Sequence, residues 1–228
     1  MAPAELAKII DHTALRPETT EAQILQLCAE AREFGFGAVC VAPAWVALAV
    51  EQLANTRVKT VSVVGFPHGD TLSTVKAIEA SQAIAGGAQE LDMVIRVGAL
   101  KSGKDQVVLQ DIRTVVGAAR QRAGTLVKVI LETALLSESE KVLGCRLAAQ
   151  GGADFVKTST GFAAGGATVY DVSLLRRTVG DRLGVKAAGG IRDLATALAM
   201  VKAGASRLGC SSSVAIMQAF TTNEPPRA

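Results

Sequence analysis

ADFVKTSTG, residues 153–161, is a short apolar run that ends on a charge and passes directly into small polar residues. Gly151 and Gly152 precede it. In an extended chain Phe155 and Lys157 share one side, and Asp154 and Val156 the other. The same design recurs along the chain. Strands are predicted at residues 9–15, 38–42, 59–64, 90–95, 126–132, 153–158, 184–187 and 206–210, with helical stretches between them. Strands that alternate with helices imply βαβ units and a parallel sheet. Eight such units in 228 residues predict a closed (β/α)8 barrel, one domain over residues 1–228, with a short N-terminal helix and a frayed tail at 221–228. An open doubly wound sheet would carry a GxGxxG turn after its first strand, and none is present.

Helix ends are marked by chemistry. Thr20 with Gln23 three residues on makes a capping box ahead of Ile24, Leu27, Cys28, Ala31 and Phe34. Asp70 stands ahead of Leu72, Val75 and Ile78, Thr168 (with Asp171) ahead of Val172, Leu175 and Val179, and Asp193 ahead of Leu194, Ala197 and Val201. Gly35, Gly86, Gly87, Gly151, Gly152 and Gly204 are placed to take left-handed backbone where helices close.

Composition narrows the function. Hydrophobic residues make up 49% of the chain and aromatics 4%, so the core is built from aliphatic side chains. The net charge of +3 comes from scattered residues with no basic run, which argues against nucleic-acid binding. Cys28, Cys40, Cys145 and Cys210 show no CxxC spacing and read as free thiols of a reducing compartment. His12 and His68 are the only histidines, too few for a His-rich metal site. The start MAPAELAKIIDH lacks a signal-peptide core and no apolar run would cross a bilayer, so a soluble, cytoplasmic protein is expected.

Charges inside strand-like runs carry the chemistry. Lys128, Lys157 and Lys186, with Asp92 inside ELDMVI, fall on strands whose carboxyl ends meet at one barrel mouth. A structural ion-pair network is the competing reading. The functional one has a physical cause. An ordinary lysine, with a pKa of ~10.4, is neutral in less than ~0.1% of molecules at pH 7 and must be neutral to attack a carbonyl. A second ammonium nearby, together with burial, favours the neutral form. The resulting iminium is an electron sink for carbon–carbon cleavage, so neither metal nor cofactor is expected. Asp92 could pass protons, through water. Asp11 either orients a lysine or begins a turn, and His12 reads as a packing or hydrogen-bonding residue. His68 and Asp70 read as a loop cap in preference to a metal pair.

Small residues follow the late strands: Thr158 to Gly161, then Gly189, Gly190, Ile191 and Arg192, then Gly209, Cys210, Ser211 and Ser212. The last two groups follow strands seven and eight, where barrels hold phosphate on backbone N–H groups. Glycine is suited there because a Cβ would keep phosphate oxygens from the amides. Residues 163–166, AAGG, read as either a mobile lid or a plain loop.

From residue 9 to residue 212 the chain resembles the deoxyribose-phosphate aldolase family, through IIDHTAL, AVCVAP, VVGFPHG, ELDMVI, LVKVILETALL, ADFVKTSTGF, GGAT, GVKAAGGIR and RLGCSS. The resemblance implies a (β/α)8 fold and reversible cleavage of 2-deoxy-D-ribose 5-phosphate to D-glyceraldehyde 3-phosphate and acetaldehyde. It implies that Lys157 forms the Schiff base, that Lys186 promotes loss of its proton, and that Asp92 donates and accepts protons. Gly161, Gly189, Gly190, Gly209 and Ser211 would hold phosphate, with Asp11, Cys40 and Lys128 in support. Cys40 matches a family cysteine near the substrate channel that the chemistry does not need. A homodimer is a further expectation from the family. Three departures stand out: Arg96 where asparagine is common, Ser213 where glycine is common, and an ending NEPPRA without the terminal tyrosine of the longer branch. Tyr170, the only tyrosine, sits on a helix and is a poor substitute. The competing functions are a barrel aldolase for another acceptor, a metal-dependent aldolase, and a barrel that binds its ligand without turnover.

Overall fold

A computed structural model describes residues 1–222. Eight parallel strands close into a barrel in chain order. They are β1 (Ile10–Ala14), β2 (Ala38–Val41), β3 (Lys59–Val64), β4 (Glu90–Val94), β5 (Leu126–Ile130), β6 (Phe155–Lys157), β7 (Gly184–Ala188) and β8 (Arg207–Cys210). Each lies at its predicted place, trimmed by a residue or two at half of the ends, with β7 longer by Ala188. The longer helices on the outside are α2 (Glu21–Phe34), α3 (Val46–Gln52), α4 (Ser73–Ala85), α6 (Asp105–Ala119), α7 (Glu138–Gln150), α8 (Val169–Val179), α9 (Leu194–Lys202) and α10 (Ser213–Thr222). Two short ones, α1 (Pro3–Ala7) and α5 (Val97–Lys101), complete the set. The expected tail begins inside α10, which carries Thr221 and Thr222; residues 223–228 lie outside the described residues.

Alternation along each strand divides the buried residues into two regions. Val39, Val41, Leu91, Met93, Val127, Val129, Val156 and Val185 point outward and pack under the helices in one large apolar cluster. Inside the barrel, Ala38, Cys40, Val61 and Val63 form a separate small cluster on β2 and β3, with Leu15 and Phe66 against it. The other half of the interior is charged. The register aligns Asp92 with Lys128, Ile130 with Lys157, and Lys157 with Lys186, and so brings the charges of neighbouring strands to adjacent heights. Gly184 makes room for this layer, because a Cβ there would lie 2.1 Å from the Phe155 ring.

Thr20 caps α2 in a capping box, and Thr168 and Asp193 cap α8 and α9 through the amides of Asp171 and Thr196. Asp70 does not cap α4. Leu72 occupies that position without a side-chain cap, and the helix buries Lys76, Ala80 and Ala83 while Leu72, Val75 and Ile78 face solvent. Lys76 turns inward because Asp111 of α6 accepts from its ammonium at 2.6 Å and the Val94 carbonyl at 2.9 Å. Gly86 and Gly151 have right-handed backbone; the left-handed turn falls on Gly87 and Gly152, one residue later.

Candidate active site

Six buried or nearly buried side chains inside the barrel form a closed ring of alternating charge. Asp11 of β1 accepts from Lys186 of β7 at 2.5 Å, and Lys186 reaches Asp92 of β4 at 2.7 Å. Asp92 meets Lys128 of β5 at 3.0 Å, Lys128 meets Glu90 of β4 at 2.5 Å, and Glu90 meets Arg207 of β8 at 3.2 Å. Arg207 closes the ring on Asp11. Three carboxylates thus face three cations. Lys157 stands outside this balance. Among the described residues its ammonium nitrogen meets only Asp92, at 2.8 Å, on the same Oδ2 that Lys186 uses. Asp11, read as either an orienting residue or the start of a turn, is the bridge between Lys186 and Arg207.

The electrostatics follow from this packing. Burial pushes the Asp92 carboxyl up, but Lys128, Lys157 and Lys186 more than reverse it and hold it well below the usual range. Burial likewise opposes the Asp11 charge, and Lys186, Arg207 and Lys128 bring it down to about 2. Lys186 is disfavoured as a cation by burial, yet Asp11 and Asp92 outweigh that and raise its pKa. It is a fixed positive charge. Burial pushes the Cys40 thiol up, so it is no reactive thiolate.

Lys157 ends β6 at the floor of a cavity of about 580 Å³ at the carboxyl mouth of the barrel. Gly161, Gly189, Gly190, Gly209 and Ser211 line the same cavity. Gly161, Gly189 and Gly190 have φ of 87°, 88° and 79°, which turns their peptide groups in a way side-chain-bearing residues rarely allow. Gly209 is needed for another reason: a Cβ there would come within 3.1 Å of the Lys186 Cε. Ser211 and Arg192 are exposed on the rim. The segment read as a lid or a loop packs down, since the Ala167 amide donates to the Gly189 carbonyl and a Cβ on Gly166 would lie 2.3 Å from that oxygen.

Several contributors escaped the sequence reading. Glu90 and Arg207 open their strands and complete the ring. Leu15 and Phe66 cover the apolar half of the interior, with Phe162 edge-on to Phe66 at 5.2 Å. Glu132 takes left-handed backbone (φ 57°) and accepts from the Thr160 amide at 3.2 Å and from its hydroxyl, which ties down the loop after Lys157. Glu132 ends the strand predicted at residues 126–132, so its charge is visible in the sequence; its left-handed backbone, which turns it toward Thr160, is visible only in three dimensions.

His12 faces outward from the barrel and bonds Ser213 at 2.9 Å and Glu30 at 2.7 Å, a structural tie between β1, α10 and α2. Ser213, the departure from glycine, also donates to the Cys210 carbonyl. His68 and Asp70 are exposed, and among the described residues no three His, Cys, Asp or Glu side chains gather to hold a metal ion. The Tyr170 hydroxyl donates to Glu138 on the outer layer. Arg96 begins α5 with its Nε buried and without a partner, and nothing in the structure explains the choice of arginine.

Fold and mouth together define an α/β-barrel enzyme with one buried amine, Lys157, facing a small-molecule cavity. Comparison with known proteins fixes the class. A family model described as DeoC/LacD family aldolase matches residues 6–219. A deoxyribose-phosphate aldolase of Geobacillus sp. (strain WCH70) is 55% identical over 218 residues, covering 96% of this chain and 97% of that protein. One from Enterococcus faecalis is 55% identical over 217 residues, covering 95% and 98%. Among solved structures, the tetrameric deoxyribose phosphate aldolase from Aeropyrum pernix superposes with a TM-score of 0.91 at 35% identity, covering 97% of this chain and 93% of that one. The chain belongs to the DeoC/LacD family of aldolases, carbon–carbon lyases on a (β/α)8 barrel.

Proposed function

We propose that this chain reversibly cleaves 2-deoxy-D-ribose 5-phosphate to D-glyceraldehyde 3-phosphate and acetaldehyde, through a Schiff base on Lys157. The observation that carries this reading is the charge count: Lys157 is the one cation left over from a balanced ring, and it faces the cavity that the glycine loops line. Lys157 shares its one carboxylate with Lys186, whereas Lys128 and Lys186 are each held by two, so the least compensated of the three amines is the one that faces the cavity.

The neutral amine adds to C1 of the open-chain aldehyde to give a carbinolamine, which loses water to the iminium. A base removes the C3 hydroxyl proton, the C2–C3 bond breaks, and its electron pair passes into the iminium to form an enamine. Glyceraldehyde 3-phosphate leaves, the enamine is protonated at C2, and water releases acetaldehyde and the amine. Asp92 moves the protons. Three surrounding ammonium groups keep it an anion, and its basicity rises when Lys157 is neutral in the carbinolamine, since one cation is then removed. The amides around Gly161, Gly189, Gly190 and Gly209, with the Ser211 hydroxyl, hold the phosphate. The apolar face of Cys40, Val61, Val63 and Phe66 lowers the local dielectric beside the amine.

The four buried free cysteines are in keeping with a reducing cytoplasm, and among the described residues no helix is long and apolar enough to cross a membrane. The exposed Leu72, Val75 and Ile78 on α4 offer a surface for a homodimer.

A retro-aldol assay with deoxyribose phosphate and a panel of other sugar phosphates tests the reading. Acetaldehyde is the expected product. Turnover of another sugar phosphate alone, or tight binding without turnover, would overturn it.

A further inference from the structure

The two members of the charged ring remote from the cavity, Glu90 and Arg207, are not used by the proposed chemistry. Both line a hollow of about 1150 Å³ at the opposite, amino-terminal end of the barrel. Neither lines the substrate cavity. Yet each is linked by ion pairs to Asp92: Glu90 through Lys128, and Arg207 through Asp11 and then Lys186. With all six members charged the ring sums to zero, and Lys157 adds the only surplus charge.

We propose that Glu90 and Arg207 are positioning residues that set, from the far end of the barrel, the pH at which Lys157 becomes a nucleophile. This rests on the reading of Lys157 as the Schiff-base lysine. The charge count fixes the sign. Removing the Glu90 charge leaves the ring with an excess cation, which works against a protonated Lys157. Removing the Arg207 charge leaves an excess carboxylate, which favours it. The groups that face Lys157 within the barrel are Asp11 on β1, Cys40 on β2, Glu90 and Asp92 on β4, Lys128 on β5, Lys186 on β7 and Arg207 on β8; β3 presents Val61 and Val63 there, and its Lys59 lines the amino-terminal hollow beside Glu90 and Arg207, with Lys8, Arg32, Glu33 and Arg57. Arg16, Glu18 and Arg192 stand at the mouth. A unit charge removed ~10 Å away, at an effective dielectric of ~20, moves a titration by about one pH unit.

Two readouts test this: the acid limb of kcat/KM for the retro-aldol reaction, and the pH dependence of Lys157 acetylation by trace acetic anhydride, followed by peptide mass spectrometry. Glu90→Gln is expected to move both limbs down by about one pH unit, and Arg207→Gln to move both up by a similar amount. Glu90→Gln with Arg207→Gln restores a neutral ring and should return both close to the unmodified protein. Should Arg207→Gln fail to fold, Arg207→Lys, which keeps the charge, should leave the limbs in place, and Glu90→Gln alone still carries the sign. Limbs that stay put, or move in the same direction for both single variants, overturn the proposal. Opposite shifts in acetylation without any retro-aldol turnover in the unmodified protein would uphold the electrostatics and sink the assigned reaction instead.

Discussion

Lys157 touches one carboxylate, whereas Lys128 and Lys186 each touch two. The three lysines look alike in sequence, each near the middle or end of an apolar strand. Their difference comes from partners 36 to 175 residues away, which no local pattern encodes. The sequence reading expects the Lys186 ammonium, together with burial, to promote proton loss from Lys157. In the structure that ammonium is paired with Asp11 and with Asp92, on the same Oδ2 that Lys157 uses, so the two lysines are close and the charge in excess of the balanced ring is that of Lys157. Asp11 offers a test at this scale. Its carboxyl is lowered from 3.8 to about 2 in the fold, so the stability it contributes is present above pH 4 and lost as pH falls toward 2. That loss amounts to roughly 2 kcal/mol. Urea unfolding between pH 5 and pH 2 should show Asp11→Asn declining less than the unmodified protein by about that amount. Parallel declines would contradict the assignment.

Elements were legible where pattern and packing agree. Short apolar strands bounded by glycine and capped helices gave the eight βα units, because each cap or alternation is a local constraint. The face of α4 was not legible. Leu72, Val75 and Ile78 recur at helical spacing but face solvent, since the opposite side buries Lys76 against Asp111, an ion pair across two helices 35 residues apart. The Ser73 hydroxyl also donates to Asp111, at 2.7 Å. Asp111→Ala leaves that ammonium buried without a carboxylate and should cost about 3–5 kcal/mol, whereas Lys76→Met with Asp111→Leu should cost far less. Equal losses by thermal unfolding would show that the pair's charges are not what matters. The loop after β6 gives a second test. Glu132→Ala frees Thr160 beside Gly161, and should raise KM for the phosphorylated sugar about tenfold or more while acetaldehyde trapping on Lys157 persists. An unchanged KM would remove Glu132 from the phosphate site's support.

Over the whole molecule, apolar side chains fill the shell between barrel and helices, and charge fills half of the interior. Such a charged core is poor material for stability alone, since ion pairs buried in this way gain little over packed hydrocarbon. Its arrangement fits the proposal of one reactive amine at the carboxyl mouth, with glycine-lined loops adjoining it. On the proposed iminium route, retro-aldol activity should survive dialysis against EDTA; loss restored by a divalent cation would contradict it. The most direct measurement is to incubate the protein with acetaldehyde and borohydride and map the modified peptide. The account predicts an ethyl group on Lys157, absent from Lys157→Leu. An ethyl group on Lys128 or Lys186, or on no lysine of a protein active in the retro-aldol assay, would contradict it.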